Sequence, residues 1–208
     1  MSRRFLIALT LSTALAMPAL AAPLSPIKTA ELSARLYEAG LEAQDPLLVL
    51  AAAKLRKQIS PEQLERSPDG GAAEGEALRE WEEMLDVALD LAAGDEALIG
   101  VIEDARAETT KGVVTGPVYN IGSLAQGGKD EYGRIDFKGG EYAEVYVEAR
   151  SSVDLNLTVL DAQGRLVCSD TDVSHIAYCG WRPSEDGGYS LVVENKGGAS
   201  TSYALMTN

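Results

Sequence analysis

The chain has 208 residues, of which 32 are acidic and 18 are Lys or Arg, giving a formal net charge of −14. This excess of negative charge excludes nucleic acid and anionic membrane surfaces as expected partners, because both need cationic side chains to neutralise phosphates. The length suffices for one full domain or two small ones.

The first residues have the pattern of a secretory signal peptide. Arg3 and Arg4 precede an uncharged, mostly apolar run over residues 5–17, and small residues flank a cleavage point after Ala21. The run is shorter than the roughly 20 residues that a membrane span needs. We therefore expect residues 1–21 to be removed and the protein to be secreted or periplasmic, with no membrane span after cleavage.

Residues 22–110 are predicted to form a small all-α domain with four main helices. Asp45-Pro46 and Asp95 have the character of helix N-caps. The first helix is expected to bury one face that carries Leu32, Leu36, Tyr37 and Leu41. The second is expected to bury Leu48, Ala51, Ala52, Leu55 and Ile59.

The rest of this half predicts one short helix and two longer ones. Ser60-Pro61 indicates a short helix that ends in the glycine-containing loop 67–71. A helix over about 74–93 would bury Leu78, Trp81, Leu85, Ala88 and Ala92. The helix after Asp95 would bury Leu98, Val101, Ile102 and Ala105.

Residues 111–208 predict an all-β domain, because apolar and polar residues alternate and turn signals recur every eight to twelve residues or so. The predicted strands are 117–124, 132–138, 142–149, 153–160, 165–169, 175–181, 188–195 and 201–207. The expected fold class is thus an α+β multidomain protein, in which a small helical domain precedes an eight-stranded antiparallel β-sandwich.

Both cysteines, Cys168 and Cys179, lie in the second half. Two Cys and one His at these spacings match no zinc site, whereas an exported protein favours a disulfide. A bridge across this short loop would stabilise the fold by about 3 kcal/mol through chain entropy.

Three segments carry a family resemblance: FKGGEYAEVYV at 137–147, DLNLTVLDAQG at 154–164 and GYSLVVEN at 188–195. Their order resembles the bacterial pre-peptidase C-terminal domain over residues from about 115 to 208, and none of the helical half. The resemblance implies a jelly-roll-like sandwich with an accessory role in adhesion, export or folding. Some relatives bind calcium.

Catalytic motifs are absent from the sequence: it has no Gly-x-Ser-x-Gly elbow and no His-Glu-x-x-His helix. A triad would need His175 beside Ser174 or Ser169 and a carboxylate such as Asp172, and no spacing argues for it. We expect His175 to be an ordinary loop or strand residue. The acidic residues Glu80, Glu82 and Glu83 are interpreted as a solvated helix face rather than a glycosidase pair.

Two weaker binding hypotheses concern the sandwich. Aspartates near the strand ends could converge on calcium, namely Asp154, Asp161, Asp170 and Asp172. The aromatic residues Tyr178, Trp181 and Tyr189 could form a platform for a polysaccharide or peptide, although core positions are the commoner role for such residues.

The sequence as a whole indicates an exported, non-catalytic binding or accessory protein without a cofactor. Its expected partner is a protein or an envelope polymer. Two alternatives stay open: a small secreted hydrolase with a site between the domains, and a purely structural envelope protein.

Overall fold

The structure, a computed structural model, describes residues 23–69, 75–76, 78–108 and 116–208. The predicted signal peptide and the predicted domain boundary at 110/111 both lie outside these described residues. Within the described ranges, no helix is long and apolar enough to cross a membrane.

Four helices make up most of the first half, and their bounds are α1 (Pro26–Ala43), α2 (Pro46–Arg56), α3 (Trp81–Leu91) and α4 (Glu96–Ala107). Asp45 and Asp95 cap α2 and α4 as predicted, because their side chains accept hydrogen bonds from the backbone N–H groups of Leu48 and Leu98. The helices share a core of their own between α1, α2, α3 and α4.

The predicted start of α3 and the short helix near Pro61 are both wrong. The α3 helix begins only at Trp81, after Glu80 takes the N-cap position in extended conformation. Residues Glu62–Gln63 instead form a short strand, β1, which pairs in parallel with a sandwich strand. Two residues are too few for any periodicity to show, so the pairing could not be seen in the sequence.

The buried face of α1 also differs from the prediction. Leu32 and Leu41 are each 38% exposed, whereas the small residues of the helix are buried, namely Ala30, Ser33, Ala34 and Gly40. A Cβ atom on Gly40 would lie 2.6 Å from Cγ2 of Val49, so α1 and α2 approach too closely for larger side chains. Val101 on α4, predicted to be buried, is likewise half-exposed.

The second half contains eight strands, as predicted. Their bounds are β2 (Val118–Leu124), β3 (Lys129–Phe137), β4 (Ala143–Ala149), β5 (Leu155–Leu160), β6 (Leu166–Asp170), β7 (Ile176–Trp181), β8 (Gly187–Asn195) and β9 (Thr201–Thr207). The larger sheet has the order β1-β2-β9-β4-β7 and the smaller sheet β3-β8-β5-β6. All pairs except β1 with β2 are antiparallel, so the predicted β-sandwich is confirmed.

The two sheets enclose the main apolar core, which includes Val145, Val147, Leu157 and Leu191. A series of hydrogen-bonded polar side chains runs through this core. The Tyr132 and Tyr203 hydroxyls lie 2.7 Å apart, and that of Tyr203 donates to Oδ2 of Asp130 at 2.6 Å. Burial raises the pKa of Tyr132 to about 12, so its hydroxyl stays protonated and able to donate.

Strand β4 is buried along its whole length because both of its faces are covered. One face lines the core between the sheets, and the other packs beneath α1, where Ile27 and Ala30 meet Tyr146 and Met206. Glu148, which alternates with the apolar residues of this strand, is therefore only 6% exposed. The molecule has three layers, formed by the helices and the two sheets.

A buried ion pair joins the helical layer to the larger sheet. Nη2 of Arg56 on α2 donates to Oε2 of Glu148 on β4 at 2.9 Å, and both side chains are more than nine-tenths buried. The Tyr146 hydroxyl donates to the same carboxylate at 2.8 Å, and Nε of Arg56 donates to Oγ of Ser33. Although burial opposes the charged guanidinium, the Glu148 carboxylate raises the pKa of Arg56, which keeps the guanidinium charged.

The segment from β1 to Asp69 bridges the edges of the two sheets. It is held on the β2 side where Leu64 N donates to Tyr119 O at 2.8 Å. On the β3 side, Asp69 N donates to Glu131 O at 2.6 Å. This segment, called the strap below, covers strand edges of both sheets on one side of the sandwich.

Candidate functional sites at the two ends of the sandwich

The predicted disulfide between Cys168 and Cys179 is confirmed, with an S–S distance of 2.10 Å and Cα atoms 5.9 Å apart. It joins β6 to β7, the edge strands of the two sheets on the side opposite the strap. A disulfide of this kind fits an oxidising compartment.

The structure places His175 in the loop before β7, where its Nε2 lies 3.6 Å from Oε1 of Glu38 on α1. The hydroxyl of Ser174 accepts instead from the backbone N–H of Ile176. In the described ranges, no hydrogen bond joins His175 to a Ser or Thr hydroxyl. The nucleophile–base contact that a triad requires is therefore not assembled in this arrangement.

The four aspartates proposed for calcium serve different turns. Asp161 accepts from the backbone N–H groups of Gln163 and Arg165, both at 2.9 Å. Asp170 accepts from the backbone N–H of Tyr178 at 2.8 Å and from that of Asp172 at 3.2 Å. Asp154 stands at the start of β5, at the opposite end from Asp161.

These aspartates do not gather in the structure. Among the described residues, no group of three or more His, Cys, Asp or Glu side chains is arranged to hold a metal ion. Calcium binding stays a prediction from the sequence alone.

The three candidate aromatic residues do not share one surface. Tyr178 lies on the helix side of the larger sheet, with the Lys28 ammonium 3.2 Å from its ring centroid. Trp181 and Tyr189 lie at the sandwich end, where their ring centroids are 5.2 Å apart and both rings contact Phe137. Only these two fit a common site.

Next to these rings lies an open cleft of about 630 Å³, called the turn cleft below. It lies between the β5–β6 turn, the end of the β7–β8 connection and the middle of β3. The polar and aromatic side chains that line it are Arg134, Asp161, Gln163, Arg165, Ser184, Glu185, Asp186, Tyr189 and Ser190. An adjoining groove of about 300 Å³ shares Arg134 and Asp186 and runs on past Phe137 and Lys138.

Two local features direct Arg134 into the turn cleft. The pairing of β3 with β8 shifts between Tyr132 and Ile135, so Gly133 and Arg134 form a β-bulge. Bulges commonly re-aim a side chain in this way. The Arg134 side chain then lies across Gly188, where an added Cβ would be only 2.5 Å from its Cγ.

Each cation of the turn cleft and its groove is paired with a nearby carboxylate. Arg134 contacts Asp136 at 2.7 Å and Arg165 contacts Asp161 at 2.6 Å, while Lys138 lies 3.4 Å from Asp186. The backbone N–H of Arg165 and its guanidinium lower the pKa of Asp161, and the backbone N–H of Gly139 lowers that of Asp186. The cleft therefore presents donors and acceptors side by side.

A second cleft, of about 600 Å³, lies at the other end of the sandwich between α1 and three sandwich loops, and is called the helix cleft below. Both halves of the chain contribute to it. Its residues include Arg35, Glu38 and Glu42 from α1 and Asp154, Val173 and His175 from the loops.

No protein-family model matches the chain, and no curated protein matches it. Several solved structures are similar to its β-sandwich half. One is the pre-peptidase C-terminal domain of a collagenase from Bacillus anthracis, with 14% identity, a TM-score of 0.38 and coverage of 44% of this chain and 89% of that one.

Two further similar structures have different roles. A periplasmic inhibitor of g-type lysozyme from Aeromonas hydrophila is 16% identical, with a TM-score of 0.33, over 49% of this chain and 93% of that one. The C-terminal CBM6 of LamC from Zobellia galactanivorans is 11% identical, with a TM-score of 0.27, over 43% of this chain and 79% of that one. Similarity at this level assigns neither a family nor a function.

Proposed function

We propose that this protein is a non-catalytic binding module that holds a neutral polysaccharide of the envelope or extracellular space in the turn cleft. The observation that carries the proposal is the placement of Tyr189 beside the Arg134 and Arg165 charge pairs. An aromatic ring gives the C–H face of a sugar an apolar surface, and its hydroxyl gives a polar tip. Carboxylate and guanidinium groups beside it accept from and donate to neighbouring sugar hydroxyls.

The charges of the turn cleft favour a neutral ligand. Two arginines stand beside three carboxylates, at Asp161, Glu185 and Asp186, so neither sign dominates. A strongly anionic or cationic polymer would be repelled by the cleft groups that carry its own sign of charge.

The shape of the site favours a chain over a single sugar. The turn cleft alone has the size of a typical small-molecule site. Because the adjoining groove shares Arg134 and Asp186 with it, the two spaces form one elongated surface. The open cleft leaves both ends of a bound chain free.

Titration of the protein with soluble neutral polysaccharides, followed by affinity electrophoresis and calorimetry, tests the proposal. Arg134→Ala and Arg165→Ala should each weaken binding at least tenfold, because each removes hydrogen-bond donors to the sugar. Both side chains are about three-quarters exposed, so their loss should leave the fold intact. Arg35→Ala is the matched control, because Arg35 is half-exposed and also pairs with a carboxylate, Glu31, but at the other end of the molecule. Binding to no polysaccharide, or equal loss in the control, would overturn the proposal.

A further inference from the structure

The helix cleft lies far from the turn cleft. Strand β5 starts after Asp154, in the helix cleft, and ends before Asp161, in the turn cleft. Its six residues span roughly 20 Å at the rise of an extended chain. A ligand in one cleft therefore leaves the other open.

The α1 side of the helix cleft carries negative charge that the protein balances only in part, since Nε2 of His175 lies 3.6 Å from Oε1 of Glu38. Glu38 and Glu42 stand four residues apart on one helix face, a spacing at which like charges destabilise a helix by a few tenths of a kcal/mol. The neighbouring cation, Arg35, is engaged by Glu31 at 3.1 Å. Glu42 forms no ion pair with any residue in the described part of the chain.

The loop side adds a carboxylate whose bonding is incomplete. Asp154 lines the cleft, and its Oδ1 atom is buried with no hydrogen-bond partner among the described residues. A buried polar atom without a partner raises the free energy of the fold by about 1–3 kcal/mol. Asp154 therefore adds a third carboxylate to the two glutamates of the cleft.

An apolar wall stands beside these charges. Val173, at the tip of the loop before β7, is 89% exposed and lines the cleft together with Val153 and Ile176. Val173 thereby gives the mouth of the cleft an exposed apolar side chain, backed by the two buried ones. The cleft thus combines an apolar wall with an acidic rim.

We propose that the helix cleft binds an extended segment of a partner protein, with a Lys or Arg side chain of that segment between Glu42 and Asp154 and an apolar residue against Val173. Lys and Arg suit both parts of the cleft, because their stems are apolar and their heads cationic. The net charge of −14 would draw such a segment toward the protein. A bare cation is a poorer occupant, since no described group of three ligands is arranged for a metal and the space is about 600 Å³.

Fluorescence anisotropy of a labelled Gly-Lys-Val-Lys-Val-Lys-Gly peptide at about 150 mM NaCl, where long-range attraction is screened, tests this inference. The double variant Glu38→Gln/Glu42→Gln should weaken binding at least tenfold. Glu96→Gln/Glu103→Gln on α4 removes the same charge from exposed positions and should change affinity less than twofold. Equal losses in the two double variants would show attraction by overall charge alone and overturn the inference.

Two further measurements identify the chemical class of the ligand. Val173→Ser should weaken the Lys-Val peptide severalfold and leave a peptide with Gly in place of Val unchanged. Spermidine should displace the peptide only at much higher concentration. Displacement by spermidine at concentrations equal to the peptide's would mean that the cleft takes free amines, and the proposed protein partner would be wrong.

Discussion

Arginine–carboxylate pairs occur both between the helices and the larger sheet and at the turn cleft, but they are buried in the first place and exposed in the second. Between α2 and β4, Arg56 and Glu148 are buried, and Tyr146 and Ser33 each add a hydrogen bond to the pair. At the turn cleft, the Arg134 and Arg165 pairs stand in water. The difference indicates that buried charges here fix how the helices sit on the sheet, whereas exposed charges are free to exchange their partners for a ligand.

The largest expected effect comes from breaking the buried pair. Arg56→Met would leave the Glu148 carboxylate buried without a counter-charge, which should lower the free energy of unfolding by about 3–5 kcal/mol in urea denaturation. Adding Glu148→Gln to that variant removes the charge but keeps an acceptor for Tyr146, so much of the loss should be recovered.

Arg165→Met is the matched exposed control, and it should change stability by less than about 1 kcal/mol. If Arg56→Met and Arg165→Met were equally stable, the proposed difference between buried and exposed pairs would be wrong.

The next effect concerns the disulfide edge of the sandwich. Reduction of Cys168–Cys179 should lower the free energy of unfolding by about 3 kcal/mol, because the bridge closes a short loop in the unfolded chain. Urea unfolding with and without dithiothreitol measures this loss in the free energy of unfolding. A Cys168→Ser/Cys179→Ala variant should show the reduced stability and no response to dithiothreitol, and a response there would point to another cause.

A smaller effect is expected from the polar chain inside the sandwich core. Tyr203→Phe would leave Asp130 without its donor and Tyr132 without its partner, which should lower the free energy of unfolding by about 1–3 kcal/mol. Tyr142→Phe, at a half-exposed position, should shift it by less than about 0.5 kcal/mol. Thermal denaturation of the two variants distinguishes them, and equal shifts would mean that the buried hydroxyls contribute nothing specific.

The smallest effect belongs to an exposed turn. Hydrogen bonds from Arg165 and Gln163 lower the pKa of Asp161 below its unfolded value of about 3.9. Its stabilising contribution is therefore present above that pH and is lost as the pH falls through the lower, folded value. The melting-temperature difference between wild type and Asp161→Asn should shrink from pH 6 to pH 3, and a constant difference would contradict the role given to the carboxylate.

The strands could be predicted from the sequence because alternation and turn residues are local signals. In β5, Leu155, Leu157 and Val159 alternate with polar residues and are buried as expected. On β4 the polar members of the alternation, such as Glu148, are buried too, since covering both faces of that strand depends on helices distant in sequence. The same non-local packing buries small residues of α1 in place of its leucines.

The candidate site was predicted only in part. Trp181 and Tyr189 stood out as aromatic residues, whereas Arg134 and Arg165 did not. One signal was available: Tyr132, Ile135 and Phe137 break the two-residue period of β3, which indicates a bulge that can re-aim Arg134. The helix cleft left no such signal, because its residues come from segments more than a hundred positions apart.

The strap has a practical consequence for work with shortened chains. A fragment that starts at Gly116 would contain every strand of the sandwich except β1, yet the hydrogen-bonding edges that Leu64 and Asp69 cover would be open to solvent. Open strand edges pair with those of neighbouring molecules. We expect such a fragment to self-associate, so its aggregation would reflect a missing cover and not a failure of the sandwich to fold.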